Sequence, residues 1–196
     1  MQQVGTYRYF ALYKPYGYLS QFTGEKGDLL LGDLYDFPKD VYSIGRLDKD
    51  SEGLLLLTND NNYKTKLLAP SSNKPKTYWV QVEGDITPEA INHLGSGTIE
   101  ISLKGKKYKV KKANCKKIEE PDVEERNPPI RFRANIPTSW ISLTITEGKN
   151  RQVRKMTAAV GHPTLRLVRR SIGELSIDGL SPGEWRIIEN HSRYDL

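Results

Sequence analysis

Three carboxylates two residues apart, Asp48, Asp50 and Glu52, follow Gly45 in the segment IGRLDKDSEGLLLLTN, Ile44–Asn59. On an extended backbone alternate side chains share a face, so all three would point one way. Like charges resist burial together, so at most one can sit deep in a cleft. Three readings fit such a cluster. DKDSEG resembles the opening of a calcium loop, with Gly53 at the sixth position. That loop needs a bidentate Glu at its twelfth position, where this chain has Asn59, and LLLL is not an open loop. A glycosidase would need a second acid across the cleft, which could come from anywhere in the chain. The plain alternative is a charged β-turn between two strands.

Other reactive side chains are sparse. Cys115 is the one cysteine, so an internal disulfide or a cysteine metal knot is excluded. It sits in a basic alternating run and reads as a strand residue. His93, His162 and His191 are too scattered to suggest a zinc site, and no metal site is expected. Lys and Arg number 30 against 24 acids, for a net charge of +6, a balance that favours a polyanionic partner. The positive charge concentrates in KGKKYKVKKANCKK and RLVRR. No apolar run reaches the ~18 residues of a membrane span. Met1–Tyr9 has no secretory pattern. A soluble, cytoplasmic protein with no membrane partner is expected.

The elements that must position these residues follow from pattern and punctuation. Tyr7–Lys14, Val41–Arg46, Thr77–Gly84, Tyr108–Ile118, Trp140–Thr146, Thr164–Leu175 and Glu184–Ile188 read as strands. GLLLLT, Gly53–Thr58, is a continuous apolar run whose length favours a buried strand. Gly27–Asp36 holds a short helix or turn. Asp60 caps a helix over Asn61–Leu68. Thr87 caps another that begins at Pro88 and ends near Gly95. Arg151–Val160 is a third, stopped by Gly161. The acidic, Pro-rich stretch Glu119–Pro129 is an exposed loop. Most strands are adjacent in sequence with few helices between them. That order predicts an α+β fold with a mixed, mainly antiparallel sheet and flanking helices.

GRLDKDSEGLLLLTND resembles the signature of the pseudouridine synthases, with Ser51 where Thr is commoner. Further blocks resemble that family in its own order: Lys14-Pro15-Tyr16-Gly17, Lys76-Thr77-Tyr78, EGKNRQVRKM with VGHPTLRLVR, and Gly183-Glu184-Trp185-Arg186. The branch is the one that holds the small-subunit enzyme and the large-subunit enzymes B, E and F. NPPIRFR, IPTSW and the lack of an N-terminal S4-type RNA-binding domain are most similar to its E type. The resemblance implies a single catalytic domain over residues 1–196, of two subdomains around a central cleft. It implies isomerisation of a specific uridine to pseudouridine in 23S ribosomal RNA, or in the assembling large subunit, by a cytoplasmic monomer. No cofactor is needed, because the reaction has no redox change and no net hydrolysis.

The same resemblance implies roles for particular residues. Asp48 is the catalytic carboxylate, either adding to the ribose anomeric carbon or removing the 2′ hydrogen. Arg154 is the cation paired with it, and Tyr78 stacks on the uracil and helps relay the C5 proton. Arg46 enters the space left by the flipped nucleotide. Lys14, Lys76, Asn150, Arg151, Gln152, Lys155 and Arg169 complete the RNA-binding set. The LLLL run and Ile145 wall the site. Two other functions stay open: a non-catalytic rRNA-binding protein on the same scaffold, and an N-glycosidase that releases free uracil.

Overall fold

The computed structural model of the chain describes residues 7–130 and 136–188. The expected segment NPPIRFR therefore runs past Ile130 outside the described residues, as do Met1–Thr6 and His191. In chain order the elements are β1 (Tyr9–Lys14), β2 (Tyr42–Ile44), β3 (Glu52–Thr58), α1 (Asn61–Leu68), β4 (Lys76–Glu83), α2 (Pro88–Gly95), β5 (Glu100–Leu103) and β6 (Lys106–Lys109). Then come β7 (Asn114–Ile118), β8 (Thr138–Ile145), α3 (Gln152–Ala159), β9 (Thr164–Ile172), β10 (Leu175–Ser176) and β11 (Trp185–Ile187). The fold is α+β. The chain divides into two compact units, residues 1–74 with 173–196, and 75–172.

The first unit is built around β3. All seven residues of Glu52–Thr58 are buried, as a continuous apolar run requires, since both its faces must be covered. β1 pairs antiparallel with β3, setting Phe10 against Leu57 and Leu12 against Leu55. β11 pairs with the other edge of β1, and β2 pairs with β3. Leu55 and Leu57 join Phe10, Leu12, Leu31, Phe37, Val41 and Leu47 in one core, with Trp185 packed against it. A 3₁₀ turn at Leu31–Asp33 occupies the expected short helix or turn. Asp60 caps α1 as expected, accepting from the N–H groups of Asn62 and Tyr63, both at 3.0 Å.

The second unit holds an antiparallel sheet in the order β9-β4-β8-β7. Along β4 burial alternates. Tyr78, Val80 and Val82 enter the core with Ile141, Leu143 and Ile145 of β8 and with Val153 and Met156 of α3. Thr87 caps α2 through Ala90 N–H, and Pro88 opens the helix. Cys115 lies on β7, where burial pushes its thiol up to about 12.

One expectation needs correction. Tyr108–Ile118 is not one strand. Lys106–Lys109 pairs with Glu100–Leu103 as a hairpin, whereas Asn114–Ile118 pairs with β8. Between them Val110 N–H donates to Ile99 O and Ala113 N–H to Gly95 O, so the backbone leaves one partner for another. The lysine alternation looks the same in both strands and hides the break. The basic run RLVRR lies on β9. Arg166 is buried and donates to Glu124 O at 2.8 Å. Arg126 donates to Pro128 O and Pro129 O. The acidic Pro-rich stretch is thus an exposed loop stapled at its base by two arginines.

Candidate active site

Asp48 sits in the first unit between β2 and β3, in a turn closed by Ser51 N–H to Asp48 O at 3.0 Å. The turn breaks the extended geometry expected for Asp48, Asp50 and Glu52. Glu52, on β3, is the buried carboxylate at 2% exposure, while Asp48 and Asp50 are half-buried. The segment leading into Asp48 is fastened to the loop after β1. Ser20 Oγ donates to Leu47 O at 2.8 Å and accepts from Leu47 N–H at 2.9 Å. Ser43 Oγ donates to Ser20 O, and Gly17 N–H donates to Lys49 O at 2.8 Å. Gly17 has φ +86°, a left-handed conformation that glycine adopts without steric cost.

Lys14 is fully buried, and its ammonium donates to Pro15 O at 2.8 Å and Tyr18 O at 2.7 Å. The lysine therefore lies beneath the loop rather than on a surface open to phosphate. Arg46 is exposed, with its guanidinium donating to Gln21 Oε1 at 2.8 Å. Lys49 reaches Asp28 at 3.1 Å, and a backbone bond from Glu25 together with Lys49 holds the Asp28 carboxyl below its ordinary range. The first unit thus fastens the loop that follows Lys14 to the segment that carries Arg46 and Asp48. The KPYG and GRLD segments are the two halves of that arrangement. Ser20, which joins them, carries no mark in the sequence beyond its place after KPYGYL.

In the second unit Tyr78 is buried at 8% exposure. It faces Leu143 on β8 and Arg169 on β9. Directly opposed antiparallel residues share a face, so the phenol and the buried Arg169 guanidinium stand together. Lys76, two residues from Tyr78, joins them. Burial, with the Arg169 charge beside it, lowers the Lys76 ammonium below its ordinary value. These three form one cationic and aromatic corner.

The remaining candidates lie at the start of α3. Asn150 and Arg151 are exposed, and Arg154 and Lys155 are half-buried. Arg151 holds the left-handed conformation, φ 52° and ψ 33°, at the N-cap. Lys155 Nζ donates to Ser102 O at 2.8 Å. Gln152 is buried, with Nε2 donating to Glu147 Oε1 at 2.7 Å and Oε1 accepting from Lys149 N–H at 3.0 Å. Glu147 was not singled out in the sequence, yet it is the hub of this loop. It also accepts from Tyr108 Oη at 2.6 Å and from Lys111 N–H at 2.9 Å. Burial pushes its carboxyl up. The hydrogen bonds from Tyr108, Lys111 and Gln152, with the Lys149 charge, outweigh that and hold it below the ordinary range.

Among the described residues no group of three or more His, Cys, Asp or Glu side chains could hold a metal ion. None of the described helices is long and apolar enough to cross a membrane.

A family model described as RNA pseudouridylate synthase matches residues 8–159. A relative from Vibrio parahaemolyticus named ribosomal large subunit pseudouridine synthase E is 51% identical over 176 residues, covering 90% of this chain and 71% of that protein. A relative of the same name from Xanthomonas campestris is 46% identical over 178 residues, covering 90% and 92%. Ribosomal large subunit pseudouridine synthase B of Bacillus subtilis is 37% identical over 184 residues, covering 93% and 68%. A crystal structure of a pseudouridylate synthase superposes with a TM-score of 0.76 at 26% identity, covering 98% of this chain and 74% of that one. The GRLD turn, the KPYG loop fastened to it and the loop that opens α3 all fall within the matched residues: the chain belongs to the RNA pseudouridylate synthase family.

Proposed function

We propose that the protein converts one uridine of large-subunit ribosomal RNA to pseudouridine in the cytoplasm, acting as a monomer. The observation that carries this reading is the 51% identity, over 90% of the chain, to a relative named as a large-subunit synthase of the E type. The bond from ribose C1′ to uracil N1 breaks, and one from C1′ to C5 forms. C5 gives up its proton, N1 gains one, and no oxidant, metal or water is consumed. Asp48 acts at the ribose, as nucleophile or as base. Arg154 supplies the compensating charge, and Tyr78 stacks on the base and serves the proton transfer.

The target atoms are inaccessible in a stacked base, so the nucleotide must flip out at a cost of a few kcal/mol. Arg46 is exposed and fits the space the base vacates. Asn150 and Arg151 meet the backbone, a reading supported by their exposure. Gln152, Lys14 and Arg169 are buried and support the surfaces that do so, while Lys76 and Lys155 lie at their margins. The substrate is 23S rRNA, free or in the assembling large subunit. The test is to incubate purified protein with 23S rRNA and map pseudouridine. One new modified position is expected. Tight binding with no pseudouridine, or release of free uracil, would overturn the reading.

A further inference from the structure

We infer that Glu147 is a positioning residue that locks the start of α3 to the lysine-rich hairpin, so that RNA bound on the hairpin is aligned with the site. The inference rests on the function proposed above. One carboxylate accepts three hydrogen bonds from three segments: Tyr108 Oη on β6, Lys111 N–H just beyond it, and Gln152 Nε2 at the first residue of α3. Gln152 in turn holds Lys149 N–H, and Lys149 Nζ lies 4.8 Å above the Tyr108 ring. Lys155 closes the far side by donating to Ser102 O on β5. The loop from Glu147 to Gln152 is therefore tied to the hairpin at several points.

The loop contains a conformation that needs such ties. Arg151 has φ +52°, a region that side chains other than glycine and asparagine occupy only when the surroundings fix it. Glu147 and Gln152 flank it on both sides. Released from Glu147, the loop would relax, and the exposed Asn150 and Arg151, with Arg154 one turn in, would lose their bearings. Neighbouring Lys106, Lys107 and Lys109 are exposed and would still hold RNA. Misplacement by about 1 Å can cost on the order of a hundredfold in rate, whereas backbone contacts tolerate it.

The experiment measures single-turnover rate and rRNA affinity for wild type, Glu147→Ala, Glu147→Gln and Tyr108→Phe, with Asp48→Asn as reference. Glu147→Ala is expected to lose about tenfold or more in rate while Kd stays within about twofold, a split that marks loss in the transition state alone. Glu147→Gln keeps an acceptor for Lys111 and Gln152, and should recover most of the rate. Wild-type turnover by Glu147→Ala, or a loss confined to Kd, overturns the inference. If Glu147→Ala does not fold, Tyr108→Phe decides: a slower rate at unchanged Kd supports the inference, and an unchanged rate ends it. An inactive wild type would instead overturn the proposed function, whatever the variants do.

Discussion

The carboxylate proposed to act on the ribose has to be held still, and Asp48 is held through its neighbours. Ser20 grips both backbone groups of Leu47, one residue away. Removing one partner of a buried hydrogen bond costs ~1–3 kcal/mol, and Ser20→Ala removes the partner of both. The variant should melt earlier and turn over more slowly. Thermal melting and an rRNA modification assay check this, and unchanged values in both would show that the loop is held elsewhere. Tyr78→Phe keeps the ring in the core and loses the hydroxyl. A positioned acid or base contributes ~10²–10⁴-fold, so the rate should fall by that order with RNA affinity retained; normal turnover would leave only stacking to the ring. Of the residues read from sequence, Asp48, Arg46, Asn150 and Arg151 are partly or fully exposed. Lys14, Gln152 and Arg169 are buried. Charge suggests contact with RNA, but burial is decided by residues far away in sequence, and a lysine or arginine carries the same letter in either place.

At the scale of elements, the hairpin β5–β6 and the segment after it carry Lys106, Lys107, Lys109, Lys111 and Lys112, all exposed. Lys107 spends part of its charge on Glu100 at 3.3 Å, an exposed pair worth little. Neutralising the five should weaken rRNA binding and flatten its salt dependence, each lost phosphate contact lowering the slope of log K against log salt by ~0.7–0.9. An unchanged slope would make this a solvated face only. The helix caps were legible because Asp60 and Thr87-Pro88 act through their own neighbours. Asp60→Ala should cost ~0.5–2 kcal/mol, toward the upper end because Asp60 also accepts from Tyr9 Oη at 2.7 Å; urea unfolding checks it. The hairpin was missed for the opposite reason. Its turn is Lys104-Gly105, both at positive φ, and the Lys-Gly pair between alternating runs was the available signal. The lysines around it read more strongly as one long strand.

At the scale of the molecule, each unit has its own core, and the strands that build both were legible from hydrophobic pattern. The family resemblance implied two subdomains, but the residues at which the chain passes from one unit to the other were not legible. The second unit is inserted between residues 74 and 173, and contacts of such long sequence separation leave no local trace. Stability toward acid should reflect Glu147. Its folded pKa lies below the unfolded value of ~4.3, so its stabilisation is present above that pH and is lost as pH falls through the folded value. The gap in melting temperature between wild type and Glu147→Ala should therefore narrow in acid; a constant gap would show that its charge contributes nothing. The central claim is that Asp48 makes pseudouridine in large-subunit RNA. The most direct measurement is a pseudouridine map of 23S rRNA treated with wild type and with Asp48→Asn, which keeps the shape of the side chain but is neither nucleophile nor base. The expected result is one modified uridine with wild type and none with the variant, at equal RNA affinity and an equal melting temperature. Modification of that uridine by Asp48→Asn at the wild-type rate would contradict the claim.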